Sequence, residues 1–297
     1  MYPDKFIGLG SSATANRNIA LDIGCGTGQL CLPLSKSYDK VFGIDVSESQ
    51  LEIARNKIWE QDEYNNIQYS YANSHDLDEF WELEMDKQKI DLVTFGQSLQ
   101  WVDYDMLFKN YQKYMAEGGA MAIFSYGFCK IVDADVLEEI KLAVEEGVVF
   151  GTEGELGIKF DNIESHGVEI DKEYTGQGTK ANELFQNFYA VVKPHFEWNC
   201  DDMINHFSHI NFNYYFTDVK RYLYYDVKKG MKISDYIQFV RTLSGYRWYL
   251  EKFPDEIDPL KVLIQSLWEI YQAANETELE TKTFDIVYPY FLATLKY

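Results

Sequence analysis

The chain has little positive charge: 27 Lys and Arg stand against 48 Asp and Glu in 297 residues, a formal net charge of −21. A surface of that sign repels phosphate, which argues against binding nucleic acid by backbone neutralisation. The acid runs evenly along the sequence and is not gathered in a tail, so it reads as solubility. Cysteine is scarce. The four present (Cys25, Cys31, Cys129, Cys200) form no C-x-x-C pair, and a chain of this size needs no disulfide framework, so the expected setting is reducing and cytoplasmic. With only five histidines, of which His206 and His209 lack an adjacent ligand set, no metal is expected. No apolar run approaches the ~20 residues that span a bilayer, and Met1-Tyr2-Pro3-Asp4-Lys5 opens no signal-peptide core, so membrane insertion is not expected. Aromatics are abundant at 16%, with 23 Tyr and 19 Phe, which points to aromatic-lined pockets or interfaces.

Over residues 1–126 strand and helix signals alternate. Short apolar runs at 19–23, 41–44, 67–71, 90–95 and 120–125 predict buried strands. Helical segments are predicted at 29–36, at 47–60 with Ser47 as N-cap, and at 106–115, the last closed by Gly118-Gly119. Repeated β-α-β with buried strands means a parallel sheet covered on both faces. After residue 126 the rhythm changes. Helices are predicted at 134–146, 234–252 and 259–274, a Gly- and Glu-rich stretch at 147–178, and a final strand at 283–297 in which Pro289 suggests an edge or a bulge. The expected architecture is α/β: a Rossmann-like, seven-stranded, mostly parallel sheet with helices on both faces, plus an inserted cover subdomain. Its parts are a cofactor-binding core (1–126), a substrate cover with partial return to the core (127–275), and a C-terminal strand completing the sheet (276–297).

The strongest local signal is Leu21-Asp22-Ile23-Gly24-Cys25-Gly26-Thr27-Gly28-Gln29. A strand runs into a glycine turn where backbone can approach a ligand. The spacing is G-x-G-x-G, not the G-x-G-x-x-G of a pyrophosphate site, and an acid stands two residues before the first glycine. Asp22 would repel phosphate but suits a cationic, amino-acid-bearing ligand such as S-adenosyl-L-methionine. Asp45 ends the second strand, where a carboxylate accepts from ribose hydroxyls. Asn73 and Ser74, after the third strand, lie where adenine would be bracketed. Taken singly, the glycines could form an ordinary turn and Asp45 could cap a helix. With five strand signals in register, the pattern reads as a Rossmann-like methyltransferase.

The sequence resembles class I S-adenosylmethionine-dependent methyltransferases, and more narrowly the group around trans-aconitate methyltransferase, which methylates small carboxylic acids. Residues 21–29 and 41–51 (VFGIDVSESQL) match the cofactor half. Ser98-Leu99-Gln100-Trp101 is similar to the S-L-Q-W after the fourth strand. Residues 189–196 (YAVVKPHF) and 239–246 (FVRTLSGY) resemble that group's Y-x-x-I-x-x-P-F and Y-[LV]-R-T-W-S-A-Y. The resemblance implies that Asp22, Gly24, Gly26 and Gly28 cradle the methionine part. Asp45, with Val46 beside it, would hold the ribose; Asn73 and Ser74 would face adenine, and Gln97 would border the cofactor.

For the acceptor it implies Trp101, Arg241 and Tyr246 as positioning groups and Gln100, Tyr189 and Ser244 as further contacts. Arg241 would supply the fork-shaped cation for a carboxylate; a surface ion pair on its helix is the competing role. No general base is needed, because a carboxylate is already nucleophilic at pH 7. The place after strand four reads Gln97-Ser98-Leu99-Gln100-Trp101 and lacks the Asp/Asn-Pro-Pro-aromatic loop of base methylases. That group also carries a basic-aromatic segment ahead of Tyr-Pro, here represented by Tyr2-Pro3 alone, so a reduced cover over the cofactor is expected. Hence a second reading stays open: a methyltransferase-like subunit retained for binding in a larger assembly, with a protein partner.

Overall fold

The computed structural model describes residues 14, 16–58, 62–75, 77–133, 151–152, 158–160, 176–196, 200–273 and 276–297. The predicted helix at 134–146, most of the 147–178 stretch and Tyr2-Pro3 lie outside the described residues. The chain divides into two compact units: residues 1–125, 207–222 and 291–297 form the first, and 126–206 with 223–290 the second.

The first unit is built on β1 (Ile19–Ile23), β2 (Lys40–Asp45), β3 (Ile67–Tyr71), β4 (Ile90–Gly96) and β5 (Met115–Tyr126). Its helices are α1 (Cys31–Ser35), α2 (Glu48–Ile58), α3 (Asp78–Leu83) and α4 (Tyr104–Tyr111). β1 pairs in parallel with β2 and β4, β2 with β3, and β4 with β5. All five residues of β1 are buried, as a strand covered on both faces requires. Leu51 and Ala54 turn the inner side of α2 toward the core, and Asp103 caps α4 by accepting from the Met106 amide at 3.1 Å.

Two long strands contribute to both units, β9 (Asp218–Lys232) and β10 (Thr283–Lys296). The sheet order is β3-β2-β1-β4-β5-β10-β9-β7. The first seven of these strands contribute to the first unit, as the sequence implies for a Rossmann-like methyltransferase fold. β6 (Lys130–Val132) pairs with β10, while β7 (Gly151–Thr152) and β8 (Ile158–Phe160) pair with β9.

Gly118 and Gly119 do not close a helix. α4 ends at Tyr111, and β5 is already a strand at Met115. The register against β4 then jumps from Ile90↔Met115 to Leu92↔Ala120, so the glycines sit in an irregularity inside the strand. Gly118 takes φ 72°, and a Cβ on Gly119 would lie 2.9 Å from the Ile90 carbonyl.

In the second unit, α5 (Gln177–Val192), α6 (Cys200–Ile204), α7 (Ile233–Arg241), α8 (Ser244–Lys252), α9 (Pro259–Tyr271) and α10 (Glu276–Thr281) surround an aromatic core. Phe185 meets Tyr236 edge-on at 5.5 Å, and Tyr236 meets Phe284 at 5.1 Å, which is where much of the aromatic content goes. The expected helix over 234–252 is two helices. The Thr242 amide and hydroxyl both donate to the Phe239 carbonyl, ending α7, and Leu243 is extended. α8 then packs so closely that a Cβ on Gly245 would lie 2.3 Å from the Phe196 ring.

Pro289 lies inside the sheet and not at its edge, because β10 runs between β5 and β9. β6 bonds β10 over Asp285 to Val287, and beyond those rungs the Pro289 carbonyl accepts from the Gly127 amide at 3.0 Å. The proline stands where its carbonyl serves the ladder. No helix among the described residues is long and apolar enough to cross a membrane.

Candidate active site

The turn after β1 is held in a left-handed shape, with Gly24, Gly26 and Gly28 at φ 65°, 54° and 79°. Two of them are also required sterically. A Cβ on Gly24 would lie 2.6 Å from Ser98 Cβ, and one on Gly28 would lie 2.1 Å from Tyr69 Oη. The Cys25 amide donates to the Ile44 carbonyl at 3.0 Å, tying the turn to β2. Asp45 completes the hold: its Oδ2 accepts from the Gly26 amide and its Oδ1 from the Ser47 amide, both at 2.8 Å. A carboxylate offers about four lone-pair sites, so two of these bonds leave acceptor capacity for a diol. Val46, beside it, is 60% exposed.

Asp22 has a different environment. It is 2% exposed, and its two oxygens accept from Thr94 Oγ1 (2.7 Å) and Cys31 Sγ (3.5 Å) beneath the turn. Burial pushes its carboxyl up to about 7, against the lowering effect of those two hydrogen bonds. Burial likewise raises the Cys31 thiol and the Tyr69 phenol far above their ordinary values. Cys25 and Cys31 are free, buried thiols. Sequence reasoning missed Thr94 and Tyr69. Thr94 is the register partner of Asp22 across β1 and β4, a signal that appears only once the strands are aligned.

At the end of β3, Asn73 Oδ1 accepts from the His75 amide (3.0 Å) and the Ser74 carbonyl accepts from Tyr111 Oη (3.2 Å). Tyr71, unnoticed in the sequence, is the register partner of Asp45 and is 63% exposed. After β4, Gln97 adopts φ 57°, a left-handed conformation that a non-glycine residue holds only when its surroundings demand it. Its amide donates to the Phe124 carbonyl, and its Oε1 accepts from Ser125 Oγ, both at 2.9 Å. Gln100 Nε2 donates to the Gln97 carbonyl at 2.8 Å. Ser98 Oγ reaches back to the Ile23 carbonyl at 2.5 Å, fastening this segment to the glycine turn. Trp101 is 54% exposed.

The remaining acceptor candidates belong to the second unit. Tyr189 is buried, its ring 4.6 Å from Phe128, and burial holds its phenol well above the ordinary value. Tyr246 donates to Asp258 Oδ1 at 3.0 Å, and burial with that bond pushes its phenol up to about 12. Asp258 Oδ1 also accepts from the Leu260 amide, so Tyr246 is tied to the cap of α9. Arg241 is exposed in the last turn of α7, and Ser244 opens α8. Among the described residues no group of three His, Cys, Asp or Glu is placed to hold a metal. His206 is pushed down to about 4 by burial and the nearby Lys130.

The donor set fits S-adenosyl-L-methionine. Three positions of the turn carry no Cβ, and Asp45 keeps acceptor capacity at the end of β2. The model of a methyltransferase domain matches residues 20–119, from β1 into β5. A Dictyostelium discoideum protein assigned to the methyltransferases by name is 23% identical over 300 residues, covering 99% of this chain and 89% of that one. The demethylmenaquinone methyltransferase of Lactococcus lactis is 35% identical over 103 residues, 33% of this chain and 38% of that one. A structure from Anaeromyxobacter dehalogenans, named a type II methyltransferase, superposes with a TM-score of 0.59 at 14% identity, covering 99% of this chain and 95% of that one. It shows a shared fold. Residues 20–119 therefore form a methyltransferase domain, and S-adenosyl-L-methionine is the cofactor it uses.

Proposed function

We propose that the protein transfers a methyl group from S-adenosyl-L-methionine to a small-molecule carboxylic acid. The observation that carries the cofactor half is the Asp45 carboxylate, which holds the Gly26 and Ser47 amides together and retains lone pairs for a ribose. Bound there, the cofactor supplies an electrophilic methyl group on a sulfonium. The glycine turn lets backbone approach it, Val46 and Tyr71 offer apolar walls at the ends of β2 and β3, and Asp22 supports the turn from beneath. Gln97, fixed by Phe124 and Ser125, borders the same region. Transfer to a carboxylate yields a neutral ester and releases no proton, so these residues need only align the partners and exclude water.

The acceptor half rests on the resemblance of residues 98–101, 189–196 and 239–246 to small-acid methyltransferases. It also rests on Arg241, an exposed guanidinium that makes no ion pair with a described residue. A fork-shaped cation suits a carboxylate, which an acidic protein otherwise repels. The test is transfer of tritiated methyl to a panel of mono- and dicarboxylic acids, with the product recovered as an alkali-labile, extractable ester. Turnover is expected for one or more acids, reduced about tenfold or more in kcat/KM by Arg241→Ala. Turnover confined to amines or phenols would remove the carboxylate reading, and unchanged kinetics in Arg241→Ala would remove that residue from it.

A further inference from the structure

One polar atom in the segment after β4 has no use among the described residues. Gln100 Oε1 is buried and, among the described residues, has no hydrogen-bond partner. A buried carbonyl left without a donor is costly, so such atoms are rare unless a ligand or water completes them. The orientation of this amide follows from its surroundings. Its Nε2 donates to the Gln97 carbonyl at 2.8 Å, and the reversed amide would press two carbonyl oxygens together. The oxygen is therefore the end left unpaired.

The group below it is built with care. Gln97 is kept in a left-handed conformation, φ 57°, by the Phe124 carbonyl and by Ser125, which is 1% exposed. That conformation costs of order 1–2 kcal/mol, and what it achieves is the presentation of the Gln97 carbonyl to Gln100. One residue further, Trp101 is left half exposed. The segment is fastened to the cofactor turn at Ser98.

We infer that Gln100 is a positioning residue whose Oε1 accepts a hydrogen bond from the acceptor molecule, so that the acceptor carries an O–H or N–H donor besides its carboxylate. This rests on the carboxylic-acid reading above and narrows it. An amide oxygen is a poor base and cannot remove a proton, so the group it holds is not the one methylated. A carboxylate alone has no hydrogen to give it. A hydroxy acid or an amide-bearing acid satisfies both: the carboxylate oxygen takes the methyl group, and the neighbouring donor fills Gln100.

The test compares matched acids, malate with succinate and salicylate with benzoate, in wild type and Gln100→Met. The affinity of both proteins for S-adenosylhomocysteine is measured alongside. Wild type is expected to favour the hydroxylated member by about tenfold or more in kcat/KM, because a site built to bond a hydroxyl rejects the analogue that lacks it. In Gln100→Met that preference should fall to about threefold or less, with cofactor-product affinity within about threefold of wild type. Four results overturn the inference: no preference in wild type, a preference that survives Gln100→Met, no turnover of any of the four acids, or a large loss of S-adenosylhomocysteine affinity. The last would assign the atom to the cofactor. Should Gln100→Met fail to fold, the wild-type ratios still decide. Absent S-adenosylhomocysteine binding by wild type would instead remove the methyltransferase reading on which this one stands.

Discussion

Asp22→Asn separates two roles for the acid beneath the glycine turn. The substitution keeps shape and removes charge, and the buried site has a use for each amide end. Asn Oδ1 can accept from Thr94 Oγ1, while Nδ2 can face Cys31 Sγ, a weak acceptor. In wild type the carboxyl is raised from 3.8 to about 7 by burial, so the folded protein favours its protonated form. The stabilisation from that proton is fully present below the unfolded value and is lost as the pH rises through the folded one. Over that span it amounts to roughly 4 kcal/mol, of which about 2.5 kcal/mol is lost between pH 5 and pH 8. The asparagine variant has nothing to titrate there. Urea unfolding of both proteins at pH 5, 6, 7 and 8 should show the variant gaining on wild type by about 2–3 kcal/mol across the series, with most of the change between pH 5 and pH 7 and little above pH 7. Its affinity for S-adenosylhomocysteine should stay within about threefold of wild type, because Asp22 supports the turn from below. A stability difference that does not move with pH would refute the buried-acid reasoning. A tenfold loss of affinity would show that Asp22 meets the cofactor itself.

Other consequences are sharper in sign than in size. Gly28→Ala places a methyl group 2.1 Å from Tyr69 Oη at φ 79°, so calorimetric affinity for S-adenosylhomocysteine should fall at least about tenfold and urea stability by about 1–3 kcal/mol. Adding Tyr69→Phe should not restore either, since the ring carbon that bears the hydroxyl would still lie 2.7 Å away. Tyr246→Phe removes the bond to Asp258 and should lower stability by about 1 kcal/mol in urea unfolding, with cofactor affinity unchanged. With a net charge of −21, the KM for a dianionic acceptor should fall as salt rises from 20 to 200 mM, and a neutral acceptor's should not.

How much of this was legible in the sequence depended on how local each feature is. The glycine spacing and Asp45 are read along one strand-turn-helix unit, and the parallel strands announce themselves as buried apolar runs. Gly118-Gly119 looked like the end of a helix because a bulge is a property of the pairing between β4 and β5, and that register is invisible in one strand. The break between α7 and α8 is set by Thr242 closing α7, and the packing that follows brings Gly245 against Phe196, about fifty residues earlier in the chain. Pro289 suggested an edge, since only the three-dimensional ladder shows its carbonyl serving Gly127. In the site, Thr94 and Tyr69 were hidden for the same reason. Each meets the turn across neighbouring strands, and neither carries a motif of its own. Gln97 was legible as a residue by resemblance, but its left-handed backbone and its use of Ser125 were not.

The central claim is that the β1 turn and Asp45 form a working site for S-adenosyl-L-methionine. Isothermal titration of the whole chain with S-adenosylhomocysteine, beside Asp45→Ala, tests it most directly. The substitution removes both the acceptor of the Gly26 and Ser47 amides and the partner for the ribose. Micromolar-range, one-to-one binding that Asp45→Ala abolishes is the predicted result. No binding by the intact protein, or equal binding by the variant while it remains folded, would contradict the account.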